Sequence, residues 1–191
     1  LIVNKENSLK KLIVASSMSI YGEGSYNCDT CGMVSPKLRT EEQMRQHKWE
    51  LLCPICANEV KPIGTKESKS LESTSVYAIS KKTQEELCLT VGAAYGIPTV
   101  ALRYFNVFGP RQSLSNPYTG VAAIFMSRIK NGNAPIIYED GRQTRDFVSV
   151  HDIVQANLLA MDSHSANYQA LNVGTGRQVS IKEIAQILAA M

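Results

Sequence analysis

The sequence predicts an α/β fold built on a parallel sheet, and three features carry that expectation. Residues 12–15 and 99–104 are short apolar runs suited to strands buried on both faces. Residues 77–92, between them, have helical composition. That stretch ends near Gly96-Ile97-Pro98, a helix stop placed just before the second run. Helix followed by strand is the rhythm of sheets whose parallel strands are joined by helical crossovers.

In chain order, Leu12-Ile13-Val14-Ala15 runs into Ser16-Ser17, so the carboxyl end of an inner strand delivers hydroxyls to a site. Residues 27–69 change to cysteine, charge and proline, with an amphipathic stretch at 40–52 suited to a short helix. Residues 119–130 are helical in composition and 135–138 suit a short strand. The turn Asp140-Gly141 then leads to a strand at 147–150. Asp152 is placed to cap a helix reaching Ser163, and residues 171–174 read as a last short strand. Ser180, with Glu183 three positions later, is a capping box for a terminal helix. The chain lacks an initiator Met, starts close to an inner strand and stops within a helical pattern, so a fragment of a longer polypeptide is expected.

With 191 residues, 44% of them hydrophobic, there is material for one core and a small added module. Twenty basic residues against 17 acidic ones give a net charge of +3, scattered along the chain, which argues against a nucleic-acid partner. No apolar run approaches the roughly 20 residues that cross a bilayer, and the opening stretch lacks the layout of a signal peptide. A cytoplasmic location with no membrane association is expected.

Four of the five cysteines fall in two tight pairs, Cys28-Asp29-Thr30-Cys31 and Cys53-Pro54-Ile55-Cys56. Each pair can grip one metal ion, and two such knuckles close a tetrahedral all-thiolate shell, the usual arrangement for structural zinc. Such a shell leaves no position for substrate, so the metal would fold the insert. Free or redox-active thiols are the alternative. His47 is a candidate fifth ligand, and Cys88 reads as a small core residue.

Tyr77 and Lys81 are four apart in the helical stretch, so their side chains leave one face and can act on one ligand. A phenol is a poor base at neutral pH, but a neighbouring ammonium favours its ionised form. Such a pair suits removal of a proton from a ligand hydroxyl. The alternative is an ordinary lysine beside a half-buried tyrosine.

The pair and three further motifs fall in one order. They are Ser16-Ser17-Met18-Ser19-Ile20-Tyr21-Gly22, Tyr77-Ala78-Ile79-Ser80-Lys81, Arg103-Tyr104-Phe105-Asn106-Val107-Phe108-Gly109-Pro110-Arg111-Gln112 and Asp140-Gly141-Arg142-Gln143-Thr144-Arg145-Asp146-Phe147. That order resembles the extended short-chain dehydrogenase/reductase family, in its nucleotide-sugar epimerase and dehydratase branch. The resemblance covers nearly the whole chain outside the cysteine insert.

The resemblance implies a catalytic set of Ser17, which hydrogen-bonds the reacting hydroxyl, Tyr77 as acid/base, and Lys81, which holds the nicotinamide ribose. It places Ser16, Tyr77, Lys81 and Phe105 at the cofactor, NAD. On the substrate side it implies Ser17, Asn106 and Arg145, the last two at the diphosphate, with a surface ion pair as the other reading of Arg145. Val121 and Tyr138 either line the base and ribose pocket or pack in the core. Asp146 would tie down the loop that carries Arg145.

Dehydratases of this family carry an Asp-Glu pair after the catalytic hydroxyl, where this chain has Met18 and Ser19, and that favours 4-epimerisation of a dTDP- or UDP-hexose. The insert together with the stretch from Arg111 to Gly120 looks most like the dTDP-L-rhamnose 4-epimerase subgroup. A dehydratase or reductase of the family, or a non-catalytic zinc-knuckle binding module, are the alternatives. No glycine-rich cofactor turn follows the first strand; Gly174-Thr175-Gly176 lacks the third glycine and comes late in the chain.

The implied architecture is a partial Rossmann-like parallel sheet lacking its N-terminal strands, with a small substrate lobe and the four-cysteine insert. Residues 1–26 and 70–108 would form the catalytic domain, 27–69 the zinc knuckle, and 109–191 mainly the substrate lobe with a returning strand and helix. A homodimer through the Tyr-Lys helix is implied, with Leu87, Leu89 and Ala93 as its apolar surface.

Overall fold

The apolar runs do form parallel strands. The computed structural model describes residues 9–113 and 120–191. In chain order its elements are β1 (Leu12–Ser17), a 3-10 turn (Met18–Tyr21), β2 (Ser25–Cys28), β3 (Gly32–Val34), α1 (Glu41–Arg45) and β4 (Lys61–Ile63). Next come α2 (Val76–Ala94), β5 (Thr99–Tyr104), β6 (Asn106–Phe108), α3 (Val121–Lys130), β7 (Thr144–Arg145) and β8 (Phe147–Ser149). The last elements are α4 (Val150–Asp162), β9 (Ala170–Val173), β10 (Val179–Ser180) and α5 (Ile181–Ala189). These divide into two compact units.

The first unit comprises the chain up to Gly22, Ser70–Phe105 and Val150–Val173. Its sheet has the order β1-β5-β9, all parallel, with Leu12 opposite Thr99 and Ala101 opposite Ala170. β5 is central and buried along almost its whole length, as its unbroken apolar run requires. Among the described residues β1 pairs on one side only, and Ala15 is exposed, so the expectation of burial on both faces holds for β5 and is corrected for β1. Val100, Leu102, Ala160 and Ala166 form the core beneath the sheet, with Ile13, Tyr104, Leu171 and Val173 packed around them. Burying Val100 or Leu102 in this way contributes about 1.5–3 kcal/mol each.

Two helices flank this sheet. The Ser75 side chain caps α2 by accepting from the amide of Ala78 at 3.1 Å. At the other end of α2, Gly92 lies so close to Thr99 that a Cβ would overlap the threonine side chain. α4 begins at Val150, earlier than the sequence suggested, so Asp152 lies within its first turn and is not its cap. There its carboxylate still complements the positive end of the helix. The far end of α4 is met by Lys11, whose ammonium donates to the carbonyls of Ala160 (3.1 Å) and Ser163 (2.7 Å).

The second unit comprises Glu23–Lys69, Asn106–Ser149 and Gly174–Met191. It holds an antiparallel sheet β3-β2-β4, the parallel pair β6-β8 and the antiparallel pair β7-β10. α3 and α5 pack together through Phe125, Ile181 and Ala185. Ser180 caps α5 by accepting from the amide of Glu183, as the capping-box spacing implied.

Three expectations change here. The helix expected at 40–52 is only α1: it starts on its Thr40 cap and stops at Gln46, after which His47 adopts a left-handed φ of 56°. Gln43 donates to the carbonyl of Glu50, which folds the following residues back along the helix. Residues 135–138 join no ladder; Pro135 lacks an amide to donate, and Glu139 turns the chain with a φ of 61°. The helix expected from Thr119 is seen from Val121, and the 114–119 part of the Arg111-to-Gly120 motif lies outside the described residues.

Candidate active site and cysteine cluster

In the first unit, Ser17 closes β1 and caps the 3-10 turn. Its Oγ accepts from the amide of Ser19 at 3.2 Å and from the Ser19 hydroxyl at 2.8 Å. Tyr77 and Lys81 occupy successive turns of α2, which packs against β1 and the 3-10 turn. The Lys81 ammonium donates to the carbonyl of Ala15 at 2.8 Å and to Gln84 at 3.3 Å, and it lies 6.0 Å from the centre of the Tyr77 ring. The structure therefore brings Lys81 to the end of β1 that carries Ser17. Tyr77 is 45% exposed.

Ser16 is buried and donates its hydroxyl to Glu85. Phe105, just past β5, is half-buried, and its amide donates to the carbonyl of Val173 at 3.2 Å.

Beneath this end of the sheet lies a polar network that the sequence reading missed. Glu85 is 2% exposed and Arg103 5%. Arg103 donates through Nε to Glu85 Oε2 at 3.0 Å, and through Nη1 to the hydroxyl of Tyr21 at 2.6 Å. Tyr21 in turn donates to Asn172 at 2.8 Å. Burial alone would lower the pKa of the Arg103 guanidinium, but its hydrogen bonds to Glu85 and Tyr21 hold it above the ordinary value. A signal was present: Ala78, Glu85 and Gly92 are the buried residues of α2 and repeat every seven positions. A carboxylate in an inward stripe demands a buried cation.

In the second unit, Asn106 opens β6, and its amide donates to the carbonyl of Asp146 at 3.0 Å. Its side-chain Oδ1 is buried with no hydrogen-bond partner among the described residues. Asp146 accepts from the Thr175 and Gly176 amides at 2.8–3.0 Å and from the Thr175 hydroxyl, so it anchors the 174–176 turn beside the strand that bears Arg145. Arg145 is exposed, donates to the carbonyl of Thr144, and makes no ion pair among the described residues. Val121 packs against the Phe125 cluster, whereas Tyr138 is 77% exposed and belongs to no core.

The four paired cysteines converge. Their sulfurs all lie within 4.8 Å of one another, and Cys28 and Cys56 are 3.4 Å apart. A tetrahedral shell with metal–sulfur bonds of about 2.3 Å needs sulfurs about 3.8 Å apart, so this donor set could hold a metal ion. Each knuckle is followed by a left-handed residue, Gly32 (φ 74°) and Ala57 (φ 59°), which turns the chain so that both thiols of a pair face inward.

Burial raises the pKa of Cys53, but hydrogen bonds from the backbone amides of Cys56 and Ile55 outweigh it and bring the thiol down to about 7. Cys31, its thiol hydrogen-bonded to the Cys56 sulfur and partly desolvated, is pushed up to about 12. His47 is not part of the cluster and meets Trp49 edge-on at 5.3 Å. Cys88 is half-buried.

Residues 56–174 match the model of the NAD dependent epimerase/dehydratase family. The chain belongs to that family. This bears out the resemblance read from its motifs. The dTDP-L-rhamnose 4-epimerase of Burkholderia thailandensis is 31% identical over 193 residues, covering 99% of this chain and 51% of that protein. A UDP-N-acetyl-alpha-D-glucosaminuronate decarboxylase of Bacillus cytotoxicus is 42% identical over 110 residues, 58% of this chain and 33% of the relative.

Among solved structures, the UDP-glucose 4-epimerase of Thermotoga maritima, determined with UDP-glucose, superposes with a TM-score of 0.71 at 29% identity. That match covers 96% of this chain and 47% of the other. The chain thus spans about half the length, or less, of these family members. Among the described residues no helix is long and apolar enough to cross a membrane.

Proposed function

We propose that this chain is the catalytic and substrate-side part of a cytoplasmic NAD-dependent nucleotide-sugar 4-epimerase acting on a dTDP- or UDP-hexose. The observation that carries the reading is the placement of Lys81 on the Ala15 carbonyl, beside Ser17 at the end of β1 and one helical turn from Tyr77. An ammonium has three donors, and two of those on Lys81 are taken by Ala15 and Gln84, which fits a third bond to a cofactor ribose hydroxyl. Tyr77 and Phe105 would share the cofactor with Lys81. Ser16, its hydroxyl committed to Glu85, would contribute backbone only.

NAD, when bound, would supply the hydride acceptor and donor for C4 of the sugar. Ser17 holds the reacting hydroxyl. Tyr77 takes that hydroxyl's proton at its phenolic oxygen and gives it back, and Lys81 fixes the ring's surroundings as an ammonium. Asn106 and Arg145 hold the diphosphate, Asn106 through its side-chain NH2, while its buried, unpartnered Oδ1 is an acceptor that a ligand hydroxyl would fill. Tyr138, exposed beside its turn, lines the base and ribose, and Val121 supports the wall from its packed position.

Met18 and Ser19 cannot transfer protons at neutral pH, which weighs against dehydration and decarboxylation despite the decarboxylase relative. The deciding assay uses the full-length protein with dTDP-L-rhamnose and with UDP-glucose. A C4 epimer formed without net change in cofactor absorbance supports the reading; a stable keto-sugar or reduced cofactor moves the protein to the dehydratase or reductase class.

Zinc is the metal we assign to the cysteine cluster, since four thiolates at this spacing suit it and leave no open position. The exposed Val76, Ile79, Leu87 and Val91 of α2 support a homodimer through that helix. Leu87→Lys should then convert the dimer to a monomer in sedimentation; an unchanged mass would remove this face from the interface.

A further inference from the structure

The cysteine lobe has only a small core of its own, built around its thiols. Its buried members are Cys28, Val34, Leu51, Cys53 and Val60, with Tyr26, Cys31 and Cys56 packed against them. So few apolar side chains do not order a module of this size, and metal binding is the free energy that such modules fold on. The lobe is also not self-contained within its unit, because two side-chain contacts tie it to other stretches.

The first contact joins Arg39, which precedes α1, to Glu139 at 2.7 Å; the same Arg39 nitrogen donates to the carbonyl of Trp49 at 3.3 Å. The second joins the Gln178 amide to the carbonyl of Pro62 at 2.8 Å, and Pro62 is held in β4 opposite Tyr26.

Both contacts fall on the frame that carries Arg145. Glu139 follows the exposed Tyr138 and is held in a left-handed conformation that a non-glycine residue adopts only at a cost. The chain then turns at Gly141, with Gln143 donating to the Tyr138 carbonyl at 3.3 Å, and enters β7. There Arg145 pairs with Val179 of β10, the residue directly after Gln178. The lobe therefore grips the turn that leads into β7 and the strand beside it. Burial and the neighbouring Glu23 hold the Tyr26 phenol above its ordinary value, against the opposing charges of Arg145 and Arg39.

We propose that the four-cysteine lobe, closed by Zn2+, is a brace for nucleotide binding. Arg39 and Glu139 are its positioning residues, and metal occupancy sets the affinity of the Tyr138–Gln143–Arg145 segment for a nucleoside diphosphate. This rests on Arg145 as the diphosphate ligand and does not require that the protein be an epimerase.

The test uses the full-length protein, zinc-loaded and zinc-stripped under reducing conditions, with Arg39→Met and Glu139→Gln as zinc-retaining variants. Metal content, calorimetric affinity for UDP and for dTDP, and kcat and KM are measured on each. One zinc per chain is expected. Stripping should weaken nucleotide binding about 10-fold or more, as loss of an aligned charged hydrogen-bond donor does. Arg39→Met and Glu139→Gln should each weaken it about 3-fold to 5-fold with zinc content unchanged, the effect entering KM and not kcat.

A protein that takes up no zinc overturns the proposal. So do the two variants if they keep wild-type nucleotide affinity, even where the stripped protein fails to stay folded. Nucleotide binding that follows zinc in a protein that forms no epimer supports the brace while refuting the proposed reaction.

Discussion

Glu85, on the inward face of α2, receives Arg103 from the neighbouring strand β5 through both Nε and Nη2. The helix that displays Tyr77 and Lys81 is thereby pinned to the sheet at a fixed height by a paired charge and not by apolar packing alone. Ser16 adds a third bond to the same carboxylate, so the pin also reaches the end of β1 where Ser17 sits. A buried ion pair offers little net stability over a well-packed apolar pair, but removing one partner strands the other charge.

Glu85→Ala should therefore destabilise the protein by about 3–5 kcal/mol, because Arg103 keeps its charge in a dry site. Replacing both residues with Met should recover much of that loss. Urea unfolding of the single and double variants measures both effects, and a loss below about 1 kcal/mol in the single variant would refute the pin.

Close approach of α2 to β5 gives a second prediction. A methyl group at Gly92 would collide with the side chain of Thr99 and stand 2.9 Å from the Ile97 carbonyl, neither of which can retreat without moving the strand. Gly92→Ala should cost about 1–3 kcal/mol despite the better helix propensity of alanine. Gly64→Ala, where nothing lies within 4 Å, is the matched control and should stay within about 0.5 kcal/mol of the parent. Equal effects at the two sites would show that the helix stands further from the strand.

Arg145 supplies the third. It is exposed and without an ion pair among the described residues, so its guanidinium is available to a diphosphate. Arg145→Ala should raise the Kd for UDP or dTDP about 10-fold to 100-fold, with a smaller change in kcat. Arg145→Lys should recover only part of the affinity, because the ammonium lacks the planar fork. Calorimetry on the full-length protein decides it; unchanged affinity would remove Arg145 from the site.

What the sequence disclosed follows from which forces act locally. The strands at 12–17 and 99–104, the cap Ser180 and the cysteine pairs are short-range signals, and each appears at or near its expected position. The sheet β3-β2-β4 was not legible, since Ser25–Cys28 and Lys61–Ile63 have no alternation of their own and pair because the cysteine cluster draws their ends together. Arg103 was hidden within a motif read for its neighbours, and nothing local to Glu85 announces its partner on the neighbouring strand. The short α1 was overestimated because the left-handed turn at His47 carries no glycine to announce it.

The decisive prediction concerns Tyr77. It is 45% exposed at the start of α2, so losing its hydroxyl opens no buried cavity. Tyr77→Phe should accordingly leave the unfolding midpoint and the Kd for nucleotide unchanged. Removing the group that carries the proton should nonetheless lower kcat about 10²-fold to 10⁴-fold, with KM little altered, because that interaction is made chiefly in the transition state. Lys81→Met should behave differently: it loses the bonds to Ala15 and Gln84 as well as the ribose contact, so cofactor affinity falls together with kcat. If the phenylalanine variant keeps more than about a tenth of the parent kcat, proton transfer belongs to another group and the assignment of Tyr77 fails.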